Sequence, residues 1–482
     1  MSRYLVAVFL TVAVALVSQT GCVGDVSYLP PPDSGSDGDA GNGGDSNPSP
    51  EAASDAPVLP DGAVCFDGTS DCQGPNGAPR TCVGGQWQVG STCSGGSPIC
   101  LGGQCVQCNP NDTQCNINTV QKCDSMGHWQ DQTACADPDP TCQGGKCVCT
   151  NTVCGGSCVD LQKDTKNCGA CGHDCQGGSC NLGVCQDVTL ASSQVKPYSI
   201  ATDGTNVYWT NYSGSVVRVP VGGGATTSIA TTGQVGSEYI AVDSTNVYWV
   251  DDSSGGVINT CLKTASGCTP TVIASGQTWN IGGIAIDSSY VYWTLPGDGN
   301  GFPAISRCLK SATNCTPTVL ITATGPGDAN AIATDGTNLY WTDASSNVVT
   351  CTISSCSGTK TTLISGYPGS LLALDSGTNI FWGGGTAVYQ CDRTNPSKCS
   401  GSLTTLASES NVTSIAVDST NVYWSINGGS GDIRQCKVGG CGGVPKTVAS
   451  GPGSDTYGLA LDSTSIYWSN SGGSGSIMKI AK

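Results

Sequence analysis

Three sets of residues in this chain have the type and spacing for chemistry. Cys168, Cys171, His173 and Cys175 form the first. A Cys-x-x-Cys pair beside a histidine has the spacing of metal ligands, and Cys168-Gly-Ala-Cys171 also has that of a redox dithiol. The second set is Glu238, Asp328 and Asp455 with Asn280 and Asn330, hard oxygen donors of the kind that hold Ca²⁺. The third is the cysteine complement itself, 31 residues. Histidine is confined to His128 and His173, so residues 187–482 lack the commonest general base and any Ser-His arrangement. The Cys168 segment has no βαβ context and belongs to a stretch with an even cysteine number. Structural disulfides are therefore the expectation there, with no metal and no cofactor.

The elements that must position these residues are set by a repeat. It reads SIATDGTNVYWT, YIAVDSTNVYWV, GIAIDSSYVYWT, AIATDGTNLYWT, LLALDSGTNIFWG, SIAVDSTNVYWS and GLALDSTSIYWS. Its tryptophans are Trp209, Trp249, Trp293, Trp341, Trp382, Trp424 and Trp468, spaced by 40, 44, 48, 41, 42 and 44 residues. Each unit opens with an apolar run, turns at Asp-Ser/Gly-x-Asn and continues in a β-branched and aromatic strand. Two further strands follow. Four short strands at this period predict a β-propeller blade. The outer strand recurs as Thr271–Ser275, Thr318–Thr322 and Thr404–Ser408, and an extra copy, Val188–Ser192, precedes the first unit. That copy is expected to complete the last blade beside Ser476–Ile480. The fold class is therefore all-β, a seven-bladed propeller over residues 187–482 closed by its N-terminal strand.

Residues just before each inner strand should lie at the mouth of the central channel, and alternate residues of a strand share a face. Counting back seven and five positions from each repeat aspartate gives Gly236, Gly282, Pro368 and Ser370 and, as candidate ligand-binding residues, Lys196, Tyr198, Glu238, Asn280, Asp328, Asn330, Asn411, Thr413, Asp455 and Tyr457, with Trp279 adjacent. They vary while the repeat stays uniform, as a site grafted on loops would. The repeat aspartates and aromatics are expected to be structural. Five cysteine pairs, Cys261/Cys268, Cys308/Cys315, Cys351/Cys356, Cys391/Cys399 and Cys436/Cys441, each start late in the third strand and end just before the outer strand in blades two to six, and are expected to clip that hairpin.

Two resemblances follow from these residues. The repeat resembles the YWTD-type propellers, and Tyr340-Trp341-Thr342-Asp343 carries the tetrapeptide in full, while Asn211, Leu295, Ile426 and Asn470 depart from it. That family is built of six blades, against seven repeats here. Residues 149–186, with CGGSCVDLQKDTKNCGACGHDC at their centre, resemble the stigma-specific-type Cys-rich module. That module implies a structural or interaction role.

The N-terminus reads as a signal peptide over residues 1–21: Arg3 precedes an apolar core from Tyr4 to Val17, short for a membrane span. Gly21-Cys22 resembles a bacterial lipobox, with Gln19 in place of the usual leucine, and Cys22 would carry the lipid. Setting Cys22 aside leaves 20 cysteines in residues 65–185 and 10 in the propeller, both even. Residues 22–64 are a Pro/Gly/Ser/Asp-rich linker; from residue 23 they hold eight acids and no Lys or Arg, and they are expected to be disordered. Cys-rich units follow at 65–107 and 108–148. Much of the net charge of −17 sits in the linker, and no basic footprint for nucleic acid exists.

The function expected from the sequence is a monomeric, non-catalytic lipoprotein at the bacterial outer membrane or cell surface, whose propeller binds a glycan, peptide or protein. Two alternatives stay open. One is a lactonase-like hydrolase or lyase with Ca²⁺ in the channel. The other is a purely structural envelope component.

Overall fold

The computed structural model describes residues 64–73, 77–136, 139–231, 236–252, 255–277, 281–295, 303–322, 329–384, 386–394, 399, 403–428, 431–450 and 455–482. The signal segment, Cys22 and the acidic linker to residue 63 lie outside them, as do Trp279, Asn280 and Asp328. No helix among the described residues is long and apolar enough to cross a membrane.

The described residues divide into two units, one of residues 64–69 and 81–88, the other of residues 70–80 and those from 89 onward. In the first, Cys65 is bonded to Cys82. The second holds the remaining cysteine bridges and the propeller. Cys72–Cys100 and Cys93–Cys105 are followed by Cys108–Cys123, Cys115–Cys142 and Cys135–Cys147. Both six-cysteine repeats thus join their first cysteine to the third, the second to the fifth and the fourth to the sixth. The eight-cysteine module pairs Cys149–Cys158, Cys154–Cys171, Cys168–Cys180 and Cys175–Cys185. Stretches this short cannot bury enough apolar surface, and cross-links take over from a core.

Seven four-stranded antiparallel sheets make up the propeller. Blade one runs Pro197–Thr202, Asn206–Asn211, Ser215–Pro220 and Thr227–Thr231 from the axis outward, and blades two to six repeat that order. Blade seven takes Thr456–Leu461, Ser465–Asn470 and Ser476–Ala481 from the C-terminal end and its outer strand, Val188–Ser192, from the N-terminal side. Val188 pairs with Lys479, Thr189 with Met478 and Ser192 with Ser476. The closing strand gives blade seven the same four strands as the others and covers the Ser476–Ala481 edge, leaving a short outer strand in its place.

The Tyr-Trp dipeptide explains how blades pack. Adjacent strand residues face opposite sides of a sheet, so Tyr and Trp enter the two interfaces that flank their blade. Tyr208 shares a core cluster with Trp249, Tyr248 with Trp293, Tyr292 with Trp341, Tyr340 with Trp382, Phe381 with Trp424, Tyr423 with Trp468 and Tyr467 with Trp209. All seven indoles are fully buried. The last of these clusters joins blade seven to blade one, so the ring closes on the same chemistry as every other interface.

The five propeller pairs are bonded as Cys261–Cys268, Cys308–Cys315, Cys351–Cys356, Cys391–Cys399 and Cys436–Cys441. The first cysteine of each pair lies on the third strand, and Cys268, Cys315, Cys356, Cys399 and Cys441 all lie in the connection that precedes the outer strand. Cys399 stands ahead of Thr404–Ala407 and Cys441 ahead of Lys446–Ser450. Each bridge therefore fastens a strand to its own following loop, because the chain must still turn before the outer strand can begin. The loops also hold the neighbouring blade. The Cys268 N–H donates to Ile229 O in blade one (2.7 Å) and the Cys315 N–H to Ile273 O in blade two (2.8 Å). Cys399 is buried in the cluster that joins blades four and five. The Cys441 sulfur is half-buried, 3.6 Å from Leu406 O in the outer strand of blade five.

Candidate functional site

The inner strands surround a cavity of about 390 Å³ at the end where they begin. Tyr198 and Ser199, Tyr239, Gly282 to Ile284, Ala331 and Ile332, Ser370 to Leu372, Val412 to Ile415, and Tyr457 and Gly458 line it, one group from each blade. The Tyr198 and Tyr457 rings stack with centroids 5.0 Å apart and planes 26° apart.

In five of the blades the inner strand is bulged where it meets the cavity. Register shifts fall between Pro197 and Ile200, Ser237 and Ile240, Gly369 and Leu371, Val412 and Ser414, and Thr456 and Leu459. A bulge sets two residues against one on the partner strand and re-aims a side chain. Strict alternation finds Tyr198, Gly282, Ser370, Thr413 and Tyr457, and it misses Ser199, Tyr239, Leu371 and Ser414, which sit one position nearer the repeat aspartate.

The positions seven before the aspartate do something else. The carbonyls of Lys196, Gly236, Asn411 and Asp455 accept the N–H of Tyr212 (3.1 Å), Asp252 (3.2 Å), Asn427 (2.8 Å) and Ser471 (2.8 Å). They latch the end of the inner hairpin and do not line the cavity. Lys196 and Asn411 adopt left-handed φ values of 50° and 60° there, and the Lys196 ammonium lies 5.6 Å from the Tyr212 ring centre. Asn330 is half-buried between blades: its N–H donates to Thr342 O at 2.7 Å, and its carbonyl accepts the Thr294 hydroxyl of blade three. Thr413 donates to Thr456 O in blade seven (2.5 Å) and lies 2.9 Å from the Ser425 hydroxyl. Of the carboxylate and amide set read as a possible Ca²⁺ cage, Asn330 and Asp455 make these main-chain bonds, Asp328 and Asn280 lie outside the described residues, and Glu238 belongs to the inner strand Ser237–Val242.

Neither the model of any protein family nor any curated protein matches this chain. Solved structures similar to it include a chain of the nidogen/laminin complex (19% identity, TM-score 0.41, covering 52% of this chain and 95% of that one). The WD40 β-propeller domain of Doa1 is similar at 14% identity and TM-score 0.47, over 61% of this chain and 95% of that one. The computationally designed Ika8 protein is similar at 11% and 0.43, over 61% and 98%. The propeller itself rests on the sheet order and ring closure above.

At the far end of the inner strands the repeat aspartates build the turns. Asp203 Oδ1 accepts the N–H groups of Thr205 (2.9 Å) and Asn206 (2.8 Å), and Oδ2 accepts the Tyr208 hydroxyl at 2.9 Å. Asp243, Asp287, Asp335, Asp418 and Asp462 repeat this set. Asp375 departs from it: its turn is one residue longer and Phe381 has no hydroxyl, so it binds Asn379 and Arg393 instead. At four interfaces a cation from the next blade reaches the aspartate. Lys263–Asp203, Lys310–Asp243 and Lys482–Asp418 meet at 2.7 Å, and Arg393–Asp335 at 3.8 Å. These cations share one position after the third strand, a signal present in the sequence.

The electrostatics follow from this arrangement. Burial alone would raise the Asp203 and Asp243 carboxyls. The lysine ammonium, two N–H donors and the tyrosine hydroxyl outweigh it and hold both at about 2. Burial, followed by the adjacent aspartate, pushes the Tyr208 phenol up to about 12.

In the Cys-rich module, Cys168 and Cys171 are bonded to Cys180 and Cys154, not to each other. The redox dithiol considered from the sequence is thus not formed, because each sulfur is spent on a different loop. Cys175 is bonded to Cys185, so all three thiols considered as metal ligands are engaged in disulfides. The His173 ring nitrogens lie 2.6 Å from Cys168 O and 2.9 Å from Lys482 O.

Proposed function

We propose that this chain is a non-catalytic binding protein that takes up its ligand at the tyrosine-lined mouth of the propeller channel. The observation that carries the reading is the contrast between the two ends of the inner strands. At the turn end, the repeat aspartates are committed to closing their own turns and, at four interfaces, to a cation of the next blade. At the mouth, side chains that differ from blade to blade converge on one cavity. Its described lining offers aromatic, hydroxyl and aliphatic groups, a set suited to holding a ligand by ring contact and hydrogen bonds.

In this reading the protein is a surface lipoprotein. Residues 1–21 direct export, Cys22 carries the lipid, the acidic linker spaces the protein from the membrane, and the Cys-rich units, including the stigma-specific-type module, present the propeller. Dependence on 15 disulfides among the described residues supports an oxidising compartment. The test is an unbiased glycan and protein capture with the full chain beside a Tyr198→Ala/Tyr457→Ala double variant. A partner retained by the first and lost by the second is expected. An identical set of partners on both would sink the reading.

A further inference from the structure

We infer that the channel mouth is a binding site for a neutral sugar, with the stacked Tyr198–Tyr457 pair as its platform. This rests on the reading of the propeller as a binding module and names its ligand.

Four features of the cavity converge on that class. Its aromatic side comes from three consecutive blades, Tyr457, Tyr198 and Tyr239. A tyrosine ring offers a flat apolar face with negative charge at its centre. The C–H face of a pyranose is flat, apolar and weakly positive, so it suits that surface. Ser370 and Ser414 add hydroxyls to the wall, and a hydroxyl donates and accepts as a sugar hydroxyl does. No charged residue is among the described lining residues, and burying an unpaired charge there would be costly. The described wall thus offers no partner charge to an anionic or cationic ligand. Finally, 390 Å³ lies near the lower end of the roughly 300–1,000 Å³ of small-ligand sites, which suits one or two sugar rings.

The platform is built by closure of the ring. Tyr457 belongs to blade seven and Tyr198 to blade one, and the two blades meet unusually closely beside them. A Cβ added to Gly458 would lie 2.6 Å from Tyr198 O and 2.8 Å from Ile200 Cγ2. Ser469 takes the Gly458 N–H at 2.8 Å and donates to Tyr198 O at 2.7 Å. Gly458 and Ser469 are thus positioning residues. Any side chain at 458 would part the two backbones whose tyrosines stack.

The experiment is a saturation-transfer NMR titration of the full-length protein. The probes are methyl glycosides of glucose, galactose, mannose and N-acetylglucosamine, their short oligomers, and glucuronic and N-acetylneuraminic acids. At least one neutral sugar is expected to bind. Tyr198→Ala and Tyr457→Ala should each weaken it by about tenfold, and the Phe variants by much less, since the ring carries the contact. Gly458→Ala should weaken it as well, while Tyr457→Phe keeps the melting temperature. Failure of every neutral sugar, preference for the acids, or unchanged affinity in both Ala variants overturns the inference. The capture experiment separates the two levels. A protein or peptide lost with the tyrosines, with no sugar bound, removes the sugar and leaves the binding mouth standing. Indifference of every partner to the tyrosines removes both.

Discussion

Asp243 receives four donors: the N–H groups of Thr245 (2.8 Å) and Asn246 (2.7 Å) on one oxygen, and the Tyr248 hydroxyl (3.0 Å) and Lys310 ammonium (2.7 Å) on the other. One side chain thus closes a turn inside blade two and ties blade three to it. The protonation behaviour makes this testable. With the folded-state pKa of Asp203 and Asp243 lowered from 3.8 to about 2, their contribution is complete above 3.8 and is lost as pH falls toward 2. Tyr208, Tyr248 and Tyr423 are raised from 10.0 to about 12, so their contribution is complete below 10.0 and is lost as pH rises toward 12. A denaturation midpoint followed against pH should be flat between these limits and fall beyond both. Asp243→Ala should lower the plateau by about 2–3 kcal/mol, through donors left unsatisfied, and should flatten part of the acid limb. An acid limb identical to the parent's would show that the carboxylate does not carry this load.

Strands and loops of this propeller act mainly on their neighbours in the ring. The disulfide loop of blade two donates Cys268 N–H to blade one, that of blade three donates Cys315 N–H to blade two, and Cys351 and Cys356 pack in the cluster between blades three and four. Removing one bridge, as in Cys308→Ser with Cys315→Ser, should cost about 2 kcal/mol by the chain-entropy argument for so short a loop, read from the shift in denaturant midpoint. A neutral result would mean that the hydrogen-bonded loop holds without its cross-link. The outer strands, the cysteine positions and the extra copy at Val188–Ser192 were legible in the sequence, because each is a short local pattern repeated at a fixed place. The bulges of five inner strands were not. They arise where an inner strand has an extra residue against its partner, and Tyr239 and Ser414 carry no local mark of that.

At the scale of the whole molecule, the eight-cysteine module sits against the seam that closes the ring. Lys479, in the strand paired with Val188–Ser192, donates to Gln176 O in the module and to Val221 O in blade one, both at 2.8 Å. His173 meets Lys482 O nearby, and Cys168, Cys175 and Cys185 share a buried cluster with Ala481. The module thus covers the place where the chain's distant segments meet. The proposed anchorage belongs to this scale too. Cys22→Ser should move the protein from the membrane fraction to the soluble fraction, since stable attachment needs the acyl chains. A variant that stays in the membrane fraction would point to some other attachment.

The amino-acid sequence by itself determined the number of blades, the strand order within each, the closing strand and the cysteines available to each loop. These follow from periodicity and turn chemistry, which act over a few neighbouring residues. Only the tertiary structure decided which side chains meet. Tyr198 and Tyr457 lie 259 positions apart in sequence and stack 5.0 Å apart in space, Lys263 finds the aspartate of the preceding blade, and each Tyr packs with the next blade's Trp. No local pattern specifies such pairs. They exist because a closed ring brings the end of each blade against the start of the next, and the last blade against the first.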